Sequence, residues 1–249
     1  MLKVNELSIE INGKRIVDTS TFSVPSGRIT SIIGESGSGK SMTVSALLDI
    51  LPAGAKSTGQ ALFANKDLLT MSNKEMSKIR GSQIFTIFQD AANSFNPSVK
   101  MGRQLYEFSG RQIQDNVAEF RVKIVEILDD LGLSKQIIEQ YPFELSGGML
   151  QRCMIACALY VEPDLLIADE PTSALDTILQ KEFIELLKEL NEKQETTILL
   201  ITHDLDIVAE VADEMVVMHK GKVVETGIVS EVFERPKNAY TKRLLESRF

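Results

Sequence analysis

The chain has 249 residues, 43% hydrophobic and 25% charged, enough to bury a sizeable core in one domain carrying an inserted subdomain. With 35 acidic against 27 basic residues the formal net charge is −8, which argues against a nucleic-acid binder relying on a basic surface. No stretch approaches the roughly 18 uninterrupted apolar residues of a membrane span, and Met1-Leu2-Lys3-Val4-Asn5-Glu6 runs straight into a strand pattern without a secretory leader. A cytosolic protein is the expectation.

In chain order, alternation at Leu7, Ile9 and Ile11 before Asn12-Gly13 predicts a β-hairpin. Short strands near Arg15 to Val17 and Thr21 to Val24 extend it into a small antiparallel sheet, and Ala61 to Ala64 is a further strand. The β-branched, apolar run Arg28 to Ile33 reads as a buried strand, and Met42 to Ile50 can wind as a helix. Between them stands Gly34-Glu35-Ser36-Gly37-Ser38-Gly39-Lys40-Ser41, a complete G-x-x-x-x-G-K-[ST] loop. Its glycines let consecutive N–H groups converge on an anion, and the following helix dipole faces the same point. Lys40 adds a charge for β- and γ-phosphates, and the Ser41 hydroxyl is a Mg²⁺ ligand. A nucleoside triphosphate site is implied.

From about residue 90 to 160 the pattern becomes helical. Val117 to Leu131 is periodic, Gly132 stops it and Ser134 can cap the next helix. Leu145-Ser146-Gly147-Gly148-Met149 opens an apolar helix, Met149 to Tyr160, and puts Ser146, Gly147 and Gly148 at a second anion-suited helix N-terminus. Ser146 can also simply cap that helix, which leaves two glycines in its first turn unexplained. Cys153 and Cys157 lie four apart on this helix; they could share a face, and core packing is the favoured use. Leu165-Leu166-Ile167-Ala168 then leads to Asp169 and Glu170. Adjacent carboxylates repel, so the pair reads as Asp169 neutralised by Mg²⁺ beside Glu170 as general base for an attacking water. From 164 onward strands and helices alternate, as in a parallel α/β sheet. The apolar run Thr197 to Ile201 delivers Thr202-His203-Asp204 beyond a strand end, while His219 falls in a hairpin turn and receives no role.

The stretch Leu145 to Gly148 resembles the LSGGQ-like signature of the ATP-binding-cassette ATPases, and the resemblance covers essentially all 249 residues. It implies one ATPase domain, 1–249, of α/β class. That domain would have a P-loop NTPase (RecA-like) core, an N-terminal antiparallel β subdomain and an inserted α-helical subdomain at about 90–160. It also implies a head-to-tail dimer in which Ser146 serves the γ-phosphate of the partner's nucleotide. Ile87-Phe88-Gln89-Asp90 looks like the Q-loop, with Gln89 on Mg²⁺ and the attacking water; Ser173-Ala174-Leu175-Asp176 looks like the D-loop; His203 would touch the γ-phosphate. Where the family stacks adenine on an aromatic ring this chain has Ile11, which implies less specific stacking.

Phe88 to Pro97, Tyr141 to Met149 and the tail Arg235 to Leu245 are similar to segments of oligopeptide, dipeptide and nickel importer ATPases. Asp90 to Pro97 would then receive a coupling helix, although Phe95 and Pro97 could instead only pack the subdomain. The branch implies ATP and Mg²⁺ as cofactors and a peripheral place on the cytoplasmic membrane face. Its partners would be a related but different ATPase, two transmembrane permease subunits and an extracytoplasmic solute-binding protein, with no nucleic acid. The runner-up is a cassette ATPase without a transport role, such as an iron–sulfur assembly ATPase.

Overall fold

Strand β1 (Leu2–Ile11) turns at Asn12-Gly13 into antiparallel β2 (Lys14–Val24), with Ile11 opposite Lys14. Both turn residues are left-handed, at φ 50° and 79°, the geometry a two-residue hairpin needs. The two short strands expected in β2 are one strand, interrupted by a bulge. Thr19 has φ 49° and Glu6 on β1 has φ 50°. Each irregularity switches the parity of burial: Leu2 and Val4 give way to Leu7 and Ile9, and Val17 gives way to Ser20, Phe22 and Val24. Strand β3 (Ile29–Ile33) is buried at every residue and leads to helix α1 (Lys40–Leu47). Strand β4 (Ala55–Phe63) pairs with β1 and starts well before the expected Ala61. Its first half, Lys56 to Gln60, is largely exposed and polar, so it carries no hydrophobic alternation to read. Strand β5 (Lys66–Asp67) closes the sheet in the order β2-β1-β4-β5, and helix α2 (Asn73–Ile79) comes next.

The computed structural model describes residues 1–89, 91–172 and 177–246, and divides into a unit of Met1–Ser77 with Asn191–Phe249 and a unit of Lys78–Leu190. The second unit opens with β6 (Ile84–Ile87), α3 (Ala91–Ser94) and α4 (Met101–Leu105). Helix α5 (Val117–Asp130) is capped by Asn116, whose side chain accepts from two backbone N–H groups, and buries Phe120, Ile124 and Leu128 at spacings of four. The Phe120 ring lies edge-on to Tyr106 and Tyr160, with centroids 5.3 and 4.9 Å away. Helix α6 (Gly147–Val161) is followed by β7 (Leu165–Asp169), parallel to β6, and by α7 (Thr177–Gln194).

The chain then returns to the first unit as β8 (Thr197–Ile201), α8 (Leu205–Val211), β9 (Glu214–His219), β10 (Lys222–Ile228), α9 (Val229–Glu234) and α10 (Ala239–Glu246). Here β3 lies between β8 and β9 and is parallel to both, while β10 pairs antiparallel with β9. The expected alternation of strands and helices holds from β7 to β9 and then ends, because β9 and β10 form an antiparallel hairpin and α9 and α10 follow one another. Ile33, Val208, Met215, Val217, Val232 and Tyr240 pack together beneath these elements. Among the described residues no helix is long and apolar enough to cross a membrane.

Candidate functional site

Strand β3 ends at Ile33 and the chain swings away at Gly34. Its φ is +154°, and a β-carbon would lie 2.1 Å from the Met218 carbonyl oxygen, so only glycine can pass the end of β9 here. The loop closes through the Ser38 N–H, which donates to the Glu35 carbonyl at 3.1 Å, and is tied to the β9–β10 turn by Gly221 N–H on the Ser38 carbonyl at 3.0 Å. Helix α1 begins with no side-chain cap and no acid in its first turn. Its terminal N–H groups and dipole therefore remain suited to an external anion. Among the described residues the buried Ser38 hydroxyl has no hydrogen-bond partner, and it is a donor that a phosphate oxygen would satisfy. Lys40 is also buried, at 6% exposure. Its ammonium donates to the carbonyls of Gly34 at 2.7 Å and Glu35 at 3.2 Å, so it is held inside the loop it serves.

The same unit carries His203. Ile32 on β3 is aligned with Ile201 on β8, and Thr202 N–H donates to the Ile32 carbonyl at 3.2 Å. Asp204 caps α8 through its carboxylate, at 2.8 Å from Asp206 N and 3.3 Å from Ile207 N. The exposed His203 and the glycine loop thus leave two paired parallel strands at the same carboxyl-terminal edge, the usual ligand edge of such sheets. Ile11 is half-buried at the end of β1.

The second unit repeats that logic with β6 and β7. Ile87 is aligned with Ala168, so Phe88-Gln89 and Asp169-Glu170 emerge at one edge. Asp169 is 8% exposed, while Gln89 is exposed. Glu170 has φ 48°, a left-handed conformation that costs a side chain about 1–2 kcal/mol and tends to persist where function requires it.

Ser146 is the N-cap of α6, its hydroxyl accepting Met149 N–H at 3.3 Å. The two glycines after it differ. A β-carbon on Gly147 meets nothing within 4 Å, whereas one on Gly148 would lie 2.6 Å from Leu179 Cδ1. Gly148 therefore has a packing reason inside this chain, whereas no described residue crowds the β-carbon position of Gly147. Cys153 and Cys157 are both fully buried, as core packing requires. Burial pushes the Cys153 thiol up to about 12, and that of Cys157 higher still. Phe95 is buried with its ring 5.5 Å from Phe108, while Pro97 is exposed, so only Phe95 packs. Asp90 and the stretch Ser173 to Asp176 lie outside the described residues.

Two further residues belong to no short motif of their own. Gln104, 6% exposed, accepts from Asn96 N–H at 2.7 Å and donates to the Asn96 and Val99 carbonyls, fixing the loop before α4. Tyr240, in the tail, puts its hydroxyl 3.2 Å from Glu35 N–H and stacks its ring on His219, with centroids 3.8 Å apart. Its only sequence signal is the proline–tyrosine tail segment in which it stands.

A family profile described as "ABC transporter" matches residues 17–173. The oligopeptide transport ATP-binding protein OppD of Bacillus subtilis is 44% identical, covering 99% of this chain and 71% of the relative. The dipeptide transport ATP-binding protein DppD of Escherichia coli is 39% identical over 99% of this chain and 78% of its own length. Among solved structures, a dimeric post-hydrolysis ATP-binding cassette bound to ADP and Pi superposes with a TM-score of 0.81 at 26% identity, covering 92% of this chain and 99% of that one. A cassette from Clostridium perfringens, cbiO1, part of the ABC transporter complex cbiONQ, gives 0.79 at 31% identity, covering 94% and 90%.

Proposed function

The chain belongs to the ABC transporter family as an ATP-binding cassette ATPase, and we propose that it energises a bacterial peptide importer from the cytoplasmic face of the membrane. The observation that carries the ATP-hydrolysing part is the glycine loop, with buried Lys40 clamped inside it at an uncapped helix start. The solute class rests on the relatives named for oligopeptide and dipeptide transport, which favour peptide over nickel and a transporter over an iron–sulfur assembly role.

In this reading the N–H groups of residues 34 to 41 and the Lys40 ammonium bind the triphosphate. The oxygens of Ser41, Gln89 and Asp169 would hold Mg²⁺, which supplies neutralising charge for the β- and γ-phosphates. Mg²⁺ is usually held by one or two carboxylates together with phosphate oxygens and water, and a donor set with the single carboxylate of Asp169, the Ser41 hydroxyl and the Gln89 amide oxygen fits that chemistry. Glu170 accepts a proton as water oxygen attacks the γ-phosphorus and the bond to the β–γ bridging oxygen breaks, giving ADP and phosphate. His203 and Gln89 orient the phosphate and the water. Ser146 and Gly147 act on the nucleotide of a second, related ATPase subunit, and the closing dimer drives two permease subunits fed by a solute-binding protein.

The test is ATP-driven uptake in vesicles reconstituted with this chain, its co-purified ATPase and permeases, and supplied with the solute-binding protein. Labelled oligopeptide should enter with the native chain and fail to enter with Lys40→Ala. Nickel uptake without peptide uptake, or co-purification with soluble scaffold proteins alone, would overturn the assignment.

A further inference from the structure

Tyr240 is the second residue of α10, 5% exposed, and 205 residues from the loop it touches. Its hydroxyl accepts the N–H of Glu35 at 3.2 Å. The carbonyl of that same peptide unit belongs to Gly34 and receives the Lys40 ammonium at 2.7 Å. The Gly34–Glu35 peptide plane is therefore bonded on both sides: to the tail through its N–H, and to the loop lysine through its C=O. Turning the plane would break both bonds together.

The tyrosine is itself fixed at its ring and at its backbone. His219, at the end of β9, stacks on its ring at 3.8 Å and 25°. The preceding residue, Met218, presents the carbonyl that backs Gly34. Asn238 accepts the Tyr240 N–H at 2.8 Å. Behind these, the Glu225 carboxylate accepts Lys237 N–H at 2.7 Å and Asn238 N–H at 3.0 Å, fastening the start of α10 to β10. A loosely tethered tail could not set the shape of the loop; this one presents a phenol held in place.

We propose that Tyr240 is a positioning residue for the phosphate loop, its hydroxyl setting the Gly34–Glu35 peptide so that this peptide's carbonyl holds Lys40 ready for the triphosphate. The proposal rests on the reading of Lys40 as the phosphate ligand. Because coupling between sites is reciprocal, nucleotide in the loop should also hold the tail.

Tyr240→Phe keeps the ring, its burial and the stack on His219, and removes only the acceptor. The experiment measures MgATP affinity of the full chain for the native protein, Tyr240→Phe and Lys40→Ala, with hydrogen exchange across residues 33 to 41 in the nucleotide-free state. Tyr240→Phe should weaken ATP about three- to tenfold, as expected for one hydrogen bond, and exchange in the loop should speed up. Lys40→Ala should lose tight binding. If Lys40→Ala loses binding while Tyr240→Phe matches the native affinity and exchange, the positioning role is refuted and the phosphate-loop reading stands. If Lys40→Ala binds normally, that reading falls and the positioning role with it. A Tyr240→Phe protein with a lower melting temperature but native ATP affinity marks a merely structural tyrosine and also refutes the proposal.

Discussion

Glu170 offers a test in which strain and chemistry separate. Its φ of 48° places a full side chain in a conformation costing about 1–2 kcal/mol. Glycine would escape that cost but brings roughly 0.5–1 kcal/mol of extra unfolded-state freedom. Glu170→Gly should thus come out between neutral and about 1.5 kcal/mol more stable, up to about 6 °C in melting temperature for a domain of this size. Glu170→Gln keeps both shape and strain, so its stability should match the native chain within about 0.5 kcal/mol. Both remove the base and should cut turnover by on the order of 10²–10⁴, equal to about 3–5 kcal/mol at 1.36 kcal/mol per decade. ATP should still bind, and Glu170→Gln should accumulate as an ATP-clamped dimer. Phosphate release, thermal melting and ATP-induced dimerisation decide the matter. A Glu170→Gln protein hydrolysing within a few-fold of native would strip Glu170 of its role and leave His203 or Gln89 to organise the water; a clearly destabilised Glu170→Gly would refute the strain argument.

Ser146→Arg should leave ATP binding to the isolated subunit intact and abolish hydrolysis in the assembled dimer, because the proposed target phosphate belongs to the other subunit; collapse of monomer binding would show that the signature acts in cis. Glu225 gives a pH dependence. Burial alone would raise its pKa, but the N–H groups of Lys237 and Asn238, both hydrogen-bonded to the carboxylate, help to outweigh that and hold it below the usual 4.5. A carboxyl with a depressed native pKa stabilises above its unfolded value and loses that contribution as pH falls through the native one. Protection of the α10 amides against hydrogen exchange should therefore decline from pH 4.5 downward in the native chain. In Glu225→Gln it should be weaker at neutral pH and flatter in acid; an unchanged profile would remove Glu225 as the tail's anchor.

What could be read from the sequence was whatever leaves a local, periodic trace. β3, β7 and β8 are short, wholly buried and bounded by functional turns, so their apolar runs stand out. The hairpin at Asn12-Gly13 was legible because that pair suits two consecutive left-handed residues. The continuity of β2 was hidden by its bulge, which reverses the alternation at Thr19, and the first half of β4 by having neither face buried. Helix α1 starts at Lys40 rather than Met42, since the motif's own lysine and serine already lie in the first turn. Periodicity could not register that.

The candidate site divides along the same line. Lys40, Asp169, Ser146 and His203 stand out because the anion and metal chemistry proposed for them demands particular residue types at fixed spacing within a few residues of a strand or helix end. Tyr240 and His219 meet across a sheet edge, and the hydroxyl reaches Glu35 from 205 residues away. No local rule marks a tyrosine as acceptor for a backbone N–H, and His219 in its turn looked like any polar residue. Catalytic motifs are short because reacting atoms must be close. The contacts that hold a loop in shape need only be close in space, so they scatter along the chain. A glycine-rich loop is especially dependent on such contacts. Glycine at 34, 37 and 39 grants the freedom to converge on an anion and also the freedom to collapse; the Met218 carbonyl, Gly221 N–H and Tyr240 hydroxyl restrict it from outside. The sequence motif thus specifies which conformations are possible, and the remote contacts, if Tyr240 acts as proposed, favour one of them.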